Sequence, residues 1–304
     1  MSDSTAETRP GAARAPWRWV RALRAFSFPL SVLPVWVAAA AVAGWEQWRW
    51  SVLLVCTATV LALHSAANLF NDYFDYVSGA DSREEDDEGR PGRLLVAGQL
   101  KPRQVMAEAL VCLALAAVPA GWLVWRCGAK LLWFLVPGAL ALYAYTGPPF
   151  KLKSRALGEA VMIVVFGPLI MGAVAYAQAG RLPTHLLLLS IPVGMVTASV
   201  LAGNNLRDYE EDRAGGVATL AQHIGPRGQR ILYTALLTGQ TLGICAYGAF
   251  RGLYLLLAAP LLLVMLVPTL RRVWRRERVP DIDVRTTQFG SALTLLTFLA
   301  LVLG

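Results

Sequence analysis

The stretch Asn68-Leu-Phe-Asn-Asp-Tyr-Phe-Asp75 closes a run, beginning near Ser51, that is otherwise apolar enough to sit in a membrane. Asn68 and Asp72 are four residues apart and Asp75 three further on, so on a helix their side chains share one face. Carboxylates at the end of a membrane helix are costly unless they face a cavity or bind something. A second copy of the arrangement follows far downstream, Asn204-Asn-Leu-Arg-Asp208-Tyr-Glu-Glu-Asp212. With Asn68 aligned to Asn204, Asp72 meets Asp208 and Tyr73 meets Tyr209. Two matched acidic helix ends in one membrane protein ask for a shared cation.

The surrounding composition agrees. Of 304 residues, 56% are hydrophobic and only 16% charged, where a soluble domain carries about 25% charged residues. The chain reads as an all-α, polytopic membrane protein. A net charge of +8 could suit a nucleic-acid partner, but the basic residues lie in short loops between apolar runs, so no nucleic acid is expected. Cys56, Cys112, Cys127 and Cys245 lie in or beside apolar segments without C-x-x-C spacing and read as packing residues. Residues 1–26 form a basic, polar tail ahead of a single transmembrane domain over 27–304; no cleaved signal peptide is expected.

A spanning helix needs about 20 mostly apolar residues. Nine candidates fall near 27–44, 51–70, 105–125, 131–147, 157–179, 184–205, 231–250, 252–270 and 288–303. The seventh and eighth meet at Arg251-Gly252 and the ninth is short, so the expectation is eight or nine, with nine preferred. The tail and the connections after even-numbered helices carry 23 of the 28 Lys and Arg residues. That bias puts the N-terminus, both acidic motifs and the basic loop Lys151-Leu-Lys153-Ser-Arg155 on the cytoplasmic side of a cell membrane. Each motif ends an even-numbered helix, 136 residues apart. Two four-helix half-repeats plus one helix would bring the motifs together across a central cavity.

Asp72, Asp75, Asp208 and Asp212, with Asn68 and Asn204, make an oxygen-rich set. Such hard ligands suit Mg²⁺, which keeps several waters and is commonly completed by substrate phosphates. Four carboxylates alone would repel one another; two Mg²⁺ ions and a diphosphate between them balance the charge. Metal-bound diphosphate is also a good leaving group, because the ions neutralise the charge that builds as its bond to carbon breaks.

From these residues the chain resembles the UbiA superfamily of intramembrane prenyltransferases. Asn71–Asp75 and Asp208–Asp212 look like that family's two Asp-rich motifs. Further stretches resemble its 1,4-dihydroxy-2-naphthoate polyprenyltransferase branch, of menaquinone biosynthesis. These are Gly79-Ala-Asp81, Tyr145-Thr-Gly-Pro-Pro-Phe150 leading to Leu157-Gly-Glu159, and Asn204 to Asp208 continuing into Thr219-Leu-Ala221 and Gly225. The resemblance implies Mg²⁺-dependent transfer of a polyprenyl chain from its diphosphate to an aromatic acceptor, with the tail in an apolar cavity open to membrane lipid. By position, Asp72, Asp75, Asp208 and Asp212 would hold the Mg²⁺–diphosphate, helped by Asn68, Asn204 and Asn205, with Asp81 as an accessory. One departure stands out: the branch's Lys two residues before Thr219 is Val217 here. Arg207, Arg213, Lys151 and Lys153 remain as candidate diphosphate contacts, although positive-inside topology also explains them.

Glu159, near the start of the fifth helix, is a candidate to deprotonate or orient an acceptor hydroxyl, or simply an acid favoured by the helix dipole. Tyr143 and Tyr145 could line the acceptor or cation cavity, or anchor at the interface. His64, one turn before Asn68, is expected to be packing. The run Glu84–Glu88 is expected to be a solvated loop that could cover the site. Two rivals stay open: a terpene cyclase of the same superfamily, which needs no acceptor, and a cation-coupled transporter, which would release no diphosphate.

Overall fold

The computed structural model describes residues 15–79 and 94–304. Asp81, Arg83, Arg90, Arg93 and the acidic run Glu84–Glu88 lie outside the described residues.

Described residues form helices and turns, with no strand among them. A short helix α1 (Ala15–Ala22) precedes α2 (Pro29–Val42), α3 (Trp50–Ser78), α4 (Pro102–Cys127) and α5 (Leu132–Thr146). Then follow α6 (Gly158–Ala179), α7 (Thr184–Arg207), the six-residue α8 (Tyr209–Ala214) and α9 (Leu220–Arg251). Helices α10 (Tyr254–Trp274) and α11 (Ile282–Leu303) complete the bundle. Among the described residues, 8 helices are long and apolar enough to cross a membrane. They match eight of the nine expected spans. The exception is 231–250, which lies in α9: at 32 residues that helix is long enough, but Thr234, Thr238, Gln240 and Thr241 make its middle less apolar than the others.

Local sequence accounts for the ends that matter. Helix α3 runs 29 residues without an interior Gly or Pro and stops at Gly79, whose φ of 74° lets its N–H close on the carbonyls of Asp75 and Tyr76. Helix α6 widens into a π turn over Val165–Leu169, where Pro168 has no N–H to give. Helix α9 bends at Gly225 (φ 73°), immediately before Pro226.

Helices α2, α3, α6, α7, α9 and α11 share the main apolar core, while α1 and the turn at Leu94–Leu100 pack on α3 and α4 in a second cluster. The second helix of each expected half-repeat packs on the third, α3 on α4 and α7 on α9. Between α6 and α7 the backbones touch. A Cβ on Gly167 would overlap the Ser190 carbonyl, and one on Gly194 the Ile163 carbonyl. The outer faces stay apolar: Val118 is 77% exposed and Trp133 79%, values that water would penalise and lipid tails would not. At the end of the bundle away from the acidic motifs, Trp36, Trp48, Trp50 and Phe298 contact one another edge-on or tilted, in the manner of an interfacial aromatic belt. The protein is an integral membrane protein.

Candidate active site

The face of α3 predicted from spacing exists, and each acid on it meets a cation. Asp72, 5% exposed, receives Arg24 Nη2 at 2.5 Å. Asp75 Oδ2 receives Lys153 Nζ at 2.7 Å and Asn71 Nδ2 at 3.1 Å. Asn68 turns its amide N–H to the Leu23 carbonyl at 3.0 Å, so it ties the N-terminal segment to α3.

The second motif is built where α7 ends. Asp208 leaves helical geometry, and its N–H still reaches the Asn204 carbonyl at 2.9 Å. The chain then resumes as α8, and the Asp212 N–H bonds the Asp208 carbonyl at 2.8 Å, placing these two acids one turn apart. Arg207 grips both oxygens of Asp208, at 2.7 and 2.8 Å, and reaches Asp283 at 2.8 Å with its third nitrogen. This sequence-predicted diphosphate contact is therefore committed to two carboxylates. Asp283, at the start of α11, was missed by sequence reasoning because no spacing links it to either motif.

Lys153 joins the two motifs. Burial works against its charge, but Asp75, with Asp212 also in range, holds the ammonium above the usual lysine range. Asp212 reports the same proximity from the other side. Burial raises its pKa, Lys153 opposes this, and Asp208, Asp75 and Glu211 raise it again, to about 7. Acids 137 residues apart in sequence, Asp75 and Asp212, thus act on one another across a single lysine.

Of the remaining predicted residues, Lys151 and Arg213 are exposed and make no ion pair among the described residues. Glu159 is buried and accepts from Asn205 Nδ2 at 2.9 Å, with its other oxygen unpartnered. It braces α7 below the second motif. Tyr143 donates to the Pro148 carbonyl at 2.7 Å, at the exposed end of α5.

Tyr145, which lies within electrostatic range of Lys153, lines an apolar cavity of about 1010 Å³, counting the open space at its mouth, between α3, α5 and α6. Tyr145 and His64 line its end nearest the acids; Cys56 and Leu131 lie towards the other. From Leu131 to Tyr145 the α5 wall rises about 21 Å at 1.5 Å per residue. His64 is more than packing: both ring nitrogens are hydrogen-bonded, Nε2 to Ser27 at 2.9 Å and Nδ1 to Ser31, and the ring lines the cavity.

Among the described residues no three His, Cys, Asp or Glu side chains stand ready-grouped around one point. The donor chemistry nonetheless fits a hard cation. Every nearby acceptor is an oxygen, the acids are counterbalanced by Arg24, Lys153 and Arg207, and the Asn204 amide oxygen is buried with no hydrogen-bond partner. Arg24 is the main residue that sequence reasoning missed. As one of several tail arginines it is explained by positive-inside topology; the signal that could have found it is the apolar set Trp19, Ala22 and Leu23, which packs into the second cluster.

Two acidic motifs, the cations paired with them and an apolar cavity thus lie together in one membrane bundle. The chain belongs to the UbiA prenyltransferase family, whose pattern it matches over residues 31–302, and it is a prenyltransferase. It is 33% identical over 290 residues to mouse (Mus musculus) UbiA prenyltransferase domain-containing protein 1, covering 94% of this chain and 84% of that one. It is 32% identical over 223 residues to the 1,4-dihydroxy-2-naphthoate octaprenyltransferase of Mycobacterium tuberculosis, covering 72% and 74%. Its fold is that of a UbiA homolog from Archaeoglobus fulgidus solved with GPP and Mg²⁺: TM-score 0.68, 15% identity, 94% of this chain and 100% of that one.

Proposed function

We propose that this prenyltransferase moves a polyprenyl chain from its diphosphate to an aromatic acceptor, 1,4-dihydroxy-2-naphthoate, in an Mg²⁺-dependent reaction on the cytoplasmic side of the membrane. The observation that carries the reading is Lys153, which pairs with Asp75 and lies within electrostatic range of both Asp212 and Tyr145, a residue of the cavity wall. The names of the mycobacterial relative and of the archaeal structure support the acceptor and the metal.

Asp72, Asp75, Asp208 and Asp212, with the Asn204 oxygen, would hold Mg²⁺, and Asp81 is placed with them by sequence alone. Bound there, the metal would neutralise charge developing on the departing diphosphate. Lys153 and Arg24 exchange their carboxylate partners for diphosphate oxygens, keeping charge-assisted hydrogen bonds on both sides of the exchange. The cavity wall excludes water from the allylic carbon, which favours attack by an electron-rich ring carbon over hydrolysis. Tyr145 presents its ring at that end of the cavity, where an aromatic face stabilises a developing cation. Glu159 and Asn205 keep the second motif in place from below.

The test is diphosphate release by purified protein given geranylgeranyl diphosphate and Mg²⁺, with and without dihydroxynaphthoate. Release that requires the acceptor is expected, with a prenylated naphthoquinol and CO2 as products, the ring losing its carboxyl group as the new carbon–carbon bond forms. Release without it, accompanied by a hydrocarbon, would replace the acceptor reading with a cyclase.

A further inference from the structure

Helix α3 grips the segment that leads into α2 at three successive turns. His64 bonds Ser27 and Ser31, Asn68 bonds the Leu23 carbonyl, and Asp72 takes Arg24. The spacing of His64, Asn68 and Asp72 is one helical turn each time, so one stripe of α3 holds the whole bend. At its centre Arg24 adopts φ 52°, ψ 47°, a left-handed conformation that an L side chain takes only when its surroundings impose it.

Hydrogen bonds from both the backbone and the Ser27 side chain meet this bend. The Arg24 carbonyl accepts both the Ser27 N–H and the Ser27 hydroxyl, each at 2.8 Å. A serine has one hydroxyl proton, so toward His64 the Ser27 oxygen can only accept, and His64 Nε2 must carry the ring hydrogen. Nδ1 is then the acceptor, and the Ser31 hydroxyl donates to it. The result is a hydrogen-bonded chain, from Ser31 through His64 and Ser27 to the Arg24 carbonyl, that holds the imidazole by both nitrogens. Phe28 and Phe166 meet the same ring edge-on, at centroid distances of 5.6 and 6.2 Å, and hold its plane. Both nitrogens are occupied, so the imidazole is not a free base. Its reach is to the backbone of the residue whose guanidinium sits on Asp72.

We infer that His64 is a positioning residue for prenyl diphosphate binding: its hydrogen-bond chain through Ser27 sets the left-handed Arg24 backbone and so aims the guanidinium at the acid motif. The inference rests on the prenyl diphosphate reading given above. The ligand class is an allylic diphosphate with a divalent cation, and the effect falls on binding more than on turnover.

The test uses the full-length purified protein and a non-reacting prenyl thiodiphosphate with Mg²⁺, titrated calorimetrically. His64→Phe preserves volume and ring contacts but removes both hydrogen bonds; affinity should fall about 10-fold, as for loss of two neutral bonds. His64→Gln, which keeps an N–H donor for Ser27, should bind within about 3-fold of wild type. The combined Arg24→Ala, His64→Phe variant should bind no worse than Arg24→Ala alone, because His64 acts through Arg24. A merely structural histidine would instead weaken both backgrounds by the same factor. Should His64→Phe fail to fold, Ser27→Ala cuts the same chain without touching α3, with the same expected loss and the same non-additivity. Wild-type affinity in Ser27→Ala, or full additivity with Arg24→Ala, overturns the inference. Wild-type protein that binds the thiodiphosphate but never prenylates dihydroxynaphthoate would sink the acceptor assignment and leave the role of His64 standing. Wild-type protein that does not bind the analogue would remove both.

Discussion

Replacing Lys153 by Met should move two affinities in opposite directions. Lys153 is 21% exposed and Asp75 16%, and their 2.7 Å contact is a charge-assisted hydrogen bond in a partly dry site. Such bonds contribute about 1.5–3 kcal/mol. In the unliganded protein that contribution holds Asp75 against the lysine and competes with a metal. With prenyl diphosphate bound, the lysine faces phosphate oxygens, so its loss should cost about 2 kcal/mol of complex stability, a roughly 30-fold rise in KM for the donor. Mg²⁺ alone should bind more tightly to the variant at about pH 8, where Asp75 and Asp212 are left facing each other without a counter-charge. Steady-state kinetics with varied prenyl diphosphate supplies the first quantity and calorimetric Mg²⁺ titration the second. An unchanged KM, or Mg²⁺ affinity that falls together with donor affinity, would refute the idea that Lys153 alternates between acid and phosphate.

Asp72→Ala or Asp208→Ala should cut turnover by roughly 100-fold or more while detergent-solubilised protein remains folded by circular dichroism; near-normal rates in either would dismantle the two-motif site. Asp212, pushed up to about 7, keeps its proton in part at neutral pH and must lose it to ligate a metal. Mg²⁺ affinity should therefore rise from about pH 6 to about pH 8 with proton release, and a flat profile over that window would argue against ligation by Asp212. Gly194→Ala would drive a methyl group into the Ile163 carbonyl, backbone that cannot swing aside, at a cost of about 3 kcal/mol. Its thermal midpoint should drop by several degrees, and an unchanged midpoint would mean that α6 and α7 can part.

Much of the site was legible in the linear pattern. The motif Asn68–Asp75 can be read because a helix repeats every 3.6 residues: Asp72 and Asp75 share a face in sequence and share it in space. Spans were legible for a similar reason, since a lipid core accepts only long apolar helices; the stretch 231–250, which falls in α9, is the least apolar of the nine, with Gln240 and Thr241 buried inside the bundle. His64 and Arg24 were not legible. A histidine among apolar residues and an arginine in a basic tail are each explained by something ordinary, and nothing in their spacing shows that a bend brings both to α3.

The sequence by itself determined the solvent, the helix count to within one, and which acids of each motif share a helix end, because hydropathy and periodicity are properties of contiguous residues. Tertiary structure alone decided how those acids are balanced. Which cation faces which acid depends on segments far apart in the chain: Arg24 with Asp72, Lys153 between Asp75 and Asp212, Arg207 shared by Asp208 and Asp283. Charge interactions fall off over a few ångströms, so pairing is set by where the folded backbone delivers each side chain, and that position is not a local property of the sequence.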